Sequence, residues 1–85
     1  MYNIKISNDA LKFLSSLKKD DSERIMQRIN QLAQNPRNDH VIKLVNKKPT
    51  QYRARQGDYR IFFTIHDEEL LVRVIDVKKR KDSYR

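Results

Sequence analysis

Cysteine is absent from this sequence, which excludes disulfide staples, thiolate metal sites and a cysteine nucleophile. The absence fits a reducing compartment, and the cytoplasm is the expected location. No run of eighteen apolar residues occurs, and the opening MYNIKISNDALKFL lacks the continuous apolar stretch of a signal peptide. A chain that is neither exported nor membrane-spanning is therefore expected. Only two histidines are present, His40 and His66, and they are not at a ligand spacing. The acidic residues are scattered or sit between predicted elements, so neither a metal nor another cofactor is expected.

What is present is a chain of 85 residues with no break in composition, enough for one domain spanning 1–85. About 38% of the residues are apolar and 35% charged, which suits a folded domain and is too hydrophobic, in a patterned way, for a disordered one. The formal net charge is +8, and it is concentrated. Lys43, Lys47, Lys48, Arg53, Arg55 and Arg60 stand against Asp58 in residues 43–60. Lys78, Lys79, Arg80, Lys81 and Arg85 stand against Asp82 in residues 78–85. The remaining chain is close to neutral. Positive charge gathered in two segments suggests a polyanion-binding surface, with a solvated basic face as the alternative.

Hydrophobic spacing predicts an α+β fold. Tyr2, Ile4 and Ile6 alternate with polar residues as in a short strand. Ser7, Asn8 and Asp9 offer N-cap side chains to a helix whose stripe is Ala10, Leu11, Phe13, Leu14 and Leu17. Asp20 and Glu23 have capping-box spacing ahead of a second helix striped by Ile25, Ile29, Leu32 and Ala33, which Asn35-Pro36 ends. Residues 37–51 read as a loop with a short strand or turn, anchored by Val41, Ile42, Leu44 and Val45. Three strands follow, Tyr52 to Gln56, Tyr59 to His66 and Glu69 to Val77, separated by Gly57-Asp58 and Asp67-Glu68. Two short turns predict an antiparallel meander, and the whole is a two-helix hairpin packed on an antiparallel sheet.

Gly57 suits the first position of a type II′ hairpin turn, which sets Gln56 opposite Tyr59, Arg55 opposite Arg60, Ala54 opposite Ile61 and Arg53 opposite Phe62. A two-residue turn at Asp67-Glu68 would set Phe63 opposite Val72 and Ile61 opposite Val74. One face is then Ala54, Ile61, Phe63, Ile65, Leu70, Val72 and Val74; the other carries Arg53, Arg55, Arg60, Phe62, Thr64, Leu71 and Arg73. Opposed arginines oppose folding, by a few tenths to about 1 kcal/mol. They are well suited to phosphate, to which each guanidinium can bond bidentately. The alternative is that the arginines extend into water and pair with acids of the helices.

The order of elements, the segment YRARQGDYRIFFTI, the strand LLVRVIDV and the tail KKRKDSYR resemble the RelE/ParE superfamily of bacterial and archaeal toxins over essentially the whole chain. GDYRI and the closing R-x-x-x-Y are the most specific parts. The resemblance implies a toxin of a type II toxin-antitoxin system that cleaves mRNA, on the ribosome in its A site or free, with an antitoxin as partner. It also implies a metal-independent reaction, attack of the 2′-hydroxyl on the adjacent phosphate. The family's catalytic positions fall on Arg55, Arg60, Arg80 and Tyr84. Here Tyr84 is expected to accept the 2′-hydroxyl proton, Arg55 and Arg60 to stabilise the phosphorane, and Arg80 to assist the leaving 5′-oxygen by charge or a relayed proton.

Arg53, Lys47, Lys48, Lys78, Lys79, Lys81 and Phe62 are expected to bind RNA, with Phe62 or Tyr52 offered to a base. Lys78-Lys79 stands where many relatives have Gly-His, so no histidine acid or base is available there. Two other functions remain open: a ParE-like inhibitor of DNA gyrase, and a non-catalytic RNA- or ribosome-binding module.

Overall fold

A computed structural model describes residues 1–80. The elements are β1 (Asn3–Ile6), α1 (Asn8–Ser15), α2 (Lys19–Gln34), β2 (Val41–Lys43), β3 (Tyr52–Gln56), β4 (Tyr59–His66) and β5 (Leu71–Lys79). The strands form one sheet in the order β1-β5-β4-β3-β2. Strands β2 to β5 are antiparallel, as expected for the meander, but β1 runs parallel to β5, with Asn3 beside Leu71 and Ile6 beside Val74. The sheet is therefore mixed, not antiparallel. The intervening helices carry the chain across one face of the sheet, which is how parallel neighbours are joined.

Both helices form and bury most of their predicted stripes, but Leu11 is 49% exposed and Leu17 lies beyond the end of α1. Ala10 and Leu14 of α1 and Ile25, Ile29 and Leu32 of α2 are buried against Ala54, Ile61, Phe63, Val72, Val74 and Val77. Ser7 caps α1, its hydroxyl oxygen accepting the Ala10 N–H at 3.1 Å. The start of α2 departs from expectation. The helix begins at Lys19 with Lys18 at the cap and no side-chain bond there, so Asp20 lies inside the first turn, where its charge favours the helix N-terminus. Residues 37–51 supply only the three-residue strand β2. Val41 packs on the core, Leu44 is half-buried, and Ile42 and Val45 are exposed.

The β3–β4 hairpin has the expected register, with Gln56 opposite Tyr59, Arg55 opposite Arg60, Ala54 opposite Ile61 and Arg53 opposite Phe62. Gly57 takes φ +59 and Asp58 has no positive φ, as in a type II′ turn. Nothing lies within 4 Å of a Cβ built on Gly57, so Gly57→Ala should cost only the backbone penalty. About 1 kcal/mol is expected, a fall of roughly 4–8 °C in Tm for a domain of this size. Thermal melts of the two proteins check it.

The β4–β5 register differs from expectation. His66 pairs with Leu71, leaving a four-residue turn in which Leu70 takes φ +49 and is half exposed, so it is not part of the apolar face. Phe63 lies opposite Val74, and the register then shifts by one residue, so that Phe62 pairs with Asp76, Ile61 with Val77 and Arg60 with Lys78. The extra residue, Ile75, is a β-bulge. Its carbonyl accepts a hydrogen bond from the Ser7 hydroxyl, and Ser7 N–H donates to the Val74 carbonyl at 2.9 Å. The cap of α1 thus holds the bulge.

The turn is tied down as well. Arg37 reaches both carboxylate oxygens of Asp67, at 2.9 and 2.8 Å, and Tyr2 donates its hydroxyl to the same carboxylate at 2.6 Å. Arg37 and then Tyr2 hold the Asp67 carboxyl down at about 2, against an ordinary 3.8. A folded value below the unfolded one gives stability present above about pH 4 and lost as the pH falls toward 2. Asp67→Asn should therefore lower Tm at pH 7, with the difference from wild type closing by pH 2. Melts across that range test the sign.

Candidate nucleic-acid interface

The sheet face away from the helices carries the basic residues, because alternation along β3 and β4 sends Arg53, Arg55, Arg60 and Phe62 opposite to Ala54, Ile61 and Phe63. Two rows cross it. Arg55, Arg60 and Lys78 pair side by side on β3, β4 and β5, and the adjacent row is Arg53, Phe62 and Asp76. Neither Arg53, Arg55 nor Arg60 forms an ion pair among the described residues. The acids of the helices therefore do not neutralise them. The Nε atoms of Arg53 and Arg60 are buried without a hydrogen-bond partner. Burial, and then the charges of Arg55 and Arg60, pull the Arg53 guanidinium below its ordinary value.

A groove of about 160 Å³ opens beside these rows, lined by Leu44, Lys47, Gln51, Phe62, Ile75, Asp76 and Lys78. The Lys78 ammonium lies 5.8 Å from the centre of the Phe62 ring and 3.7 Å from Asp76 Oδ2. Lys48 is exposed in the loop before β3 and does not line the groove. Lys79 is directed elsewhere. It pairs with Tyr59, on the helix side of the sheet, and lines a cavity of about 310 Å³ with Asp21, Arg24, Gln56 and Asp58. There Tyr59 meets Phe13 edge-on at 6.0 Å and donates to Asp21 at 3.3 Å. Burial and the Asp21 carboxylate push its phenol up. Tyr52 also faces the helices, stacked on Phe63 at 5.7 Å beneath the Arg37 guanidinium, which among the described residues leaves Phe62 as the aromatic on the basic face.

Arg80 follows β5, its N–H bonded to the Asp58 carbonyl at 2.7 Å and its guanidinium 4.0 Å from the Asp58 carboxylate. It sits beside the β3–β4 turn. Lys81 and Tyr84 lie outside the described residues. Sequence reasoning had Lys78 among the RNA-binding residues but missed it as the third member of the arginine row, had Leu44 only as a loop anchor, and missed Asp76 and Gln51 altogether. In a bulge-free register Asp76 would fall opposite Tyr59, on the core side, and a shift of one residue turns it to the other face.

The chain is a small α+β fold whose exposed sheet face gathers three arginines without ion pairs among the described residues, and its relatives narrow the class. A family model described as the ParE toxin of the type II toxin-antitoxin system parDE matches residues 4–84. A chain of the archaeal RelE-RelB complex from Pyrococcus horikoshii OT3 is 31% identical, with a TM-score of 0.80 over 94% of this chain and 96% of that one. The RelBE2 toxin-antitoxin complex from Mycobacterium tuberculosis gives a TM-score of 0.80 at 22% identity, over 93% and 98% of the two chains. The isolated E. coli RelE toxin gives 0.78 at 23%, over 95% and 86%. At these last two identities the likeness is one of fold. No curated protein sequence matches the chain significantly. This protein belongs to the RelE/ParE superfamily, the toxins of type II toxin-antitoxin systems.

Proposed function

We propose that this toxin is an endoribonuclease acting on mRNA in the cytoplasm. The observation that carries the reading is the row Arg55, Arg60 and Lys78 with Arg53 beside it, in which none of the three arginines has a carboxylate partner among the described residues. Uncompensated cations packed together oppose folding and favour a bound phosphate. In the reaction the 2′-oxygen bonds to phosphorus, its proton passes to a base, and the P–O5′ bond breaks with the 5′-oxygen taking a proton. The products are a 2′,3′-cyclic phosphate and a 5′-hydroxyl. Arg55 and Arg60 meet the charge that grows on the phosphorane oxygens. Tyr84 is the base, since it stands in the cation-rich segment KKRKDSYR and a phenol near positive charge ionises more readily than a free one. Arg80 assists the leaving oxygen. No residue in this scheme calls for a metal.

The partner follows from the relatives, several of which were solved bound to RelB antitoxins. An antitoxin whose acidic amphipathic segment covers the basic face or the helices suits a toxin of net charge +8. The match to the ParE model favours a second reading, inhibition of DNA gyrase by binding. Induced expression of wild type and of an Arg60→Ala/Tyr84→Ala variant separates them. New 5′-hydroxyl ends in translated messages, with wild type only, are expected; arrested replication with intact mRNA moves the function to gyrase. Cleavage by purified components with and without ribosomes then tells A-site action from attack on free message.

A further inference from the structure

The groove beside the cation row contains groups that phosphate binding leaves unexplained. Asp76 is a carboxylate set among the cations Lys47, Lys78 and Arg53, and it repels the phosphate those cations attract. Phe62 is half-buried with its ring toward the groove, and Gln51 adds an amide. Arg53, Phe62 and Asp76 are paired directly across three strands, one row from Arg55, Arg60 and Lys78. Rows two residues apart along a strand are separated by about 6.6 Å, so a nucleotide whose phosphate lies on the cation row sets its base over Phe62.

Resting on the RNA reading above, we infer that this groove is a nucleobase subsite that selects guanine. Aromatic rings stack on any unpaired base. The selection comes from Asp76, an acceptor-only group. Guanine alone presents two adjacent N–H donors on its Watson–Crick edge, N1–H and the 2-amino group, which a carboxylate accepts together. Uracil sets its single N–H between two carbonyls, and adenine and cytosine set an acceptor beside their amino group. One Asp76 oxygen also accepts the Val77 N–H at 2.9 Å, which fixes the carboxylate in the groove. Lys78 covers the site in the free protein. Its side chain is 65% exposed and its contact to Asp76 is long, at 3.7 Å, so it moves aside to the phosphate at little cost.

The test uses 2′-O-methyl trinucleotides UXU at low salt, with X each of the four bases, because a blocked 2′-hydroxyl prevents cleavage. Binding is followed by NMR shifts of the groove residues. Wild type should bind the guanine trinucleotide about tenfold more tightly than the uracil one, as one good base-edge pair allows. Asn in place of Asp76 keeps an oxygen for the Val77 N–H but turns the other atom into a donor, and Asp76→Asn should bring the four affinities within about twofold. Phe62→Leu should weaken all four by about tenfold and keep their order. Equal wild-type affinities, a guanine preference unchanged by Asp76→Asn, or no binding of any trinucleotide overturns the subsite. Failure of the nuclease reading shows differently: guanine-selective binding with unmodified message left intact both with and without ribosomes supports the subsite and removes the nuclease.

Discussion

Arg60→Ala is expected to lower RNA cleavage by on the order of 10²–10³, the usual cost of removing one donor to transition-state charge, while Tm holds or rises. The two outcomes have one cause. Arg60 lies between Arg55 and Lys78 in direct cross-strand register, and its Nε is buried without a partner. Removing it relieves like-charge repulsion worth a few tenths to about 1 kcal/mol and a buried donor left unsatisfied. Arg60→Lys should fall between, keeping charge but not the bidentate fork. Single-turnover cleavage and thermal melts measure both quantities on one preparation. A variant that cleaves like wild type, or that loses activity only through unfolding, removes Arg60 from the reaction.

The second large effect concerns the next aromatic along β4. Phe63 is fully buried at the centre of the core, among the largest side chains there. Phe63→Ala should cost about 3–5 kcal/mol. At roughly 0.05–0.15 kcal/mol per residue, a domain of 85 residues holds only about 4–13 kcal/mol in total. Urea unfolding should therefore show most of the cooperative transition lost at 37 °C. Phe62→Ala, one residue away and on the opposite face, should leave the urea midpoint nearly unchanged. Equal effects at the two positions contradict the alternation that sets the interface apart from the core.

The hairpin of β3 and β4 was legible in the sequence because a single glycine at a two-residue turn admits one register, and that register brings Arg53, Arg55 and Arg60 to one face. The β4–β5 pairing was not legible. Its turn uses Leu70 at φ +49, where the usual signals are glycine and asparagine. Its bulge depends on the Ser7 hydroxyl, nearly the whole chain away in sequence. Because of that bulge Lys78 joins the arginines, Asp76 meets Phe62, and Lys79 turns to the helix side. The start of α2 was misread for a local reason: Asp20 had capping spacing, but the chain enters the helix two residues earlier. The helical stripes, which depend only on burial at 3.6-residue spacing, were readable except at Leu11, which is exposed, and Leu17, which follows the end of α1.

The placement of β1 has a consequence for when the toxin comes into being. Within the sheet its one neighbour is β5, so the first strand made pairs only with residues 71–74. During synthesis β1, α1 and α2 leave the ribosome with their apolar sides uncovered, and the Ser7 cap has no Ile75 to hold. The Arg60–Lys78 pairing is completed in the same late step that closes the sheet over the core. A nascent chain thus remains without its complete cation row until β5 has been made, so the assembled face exists only in a chain whose sheet has closed.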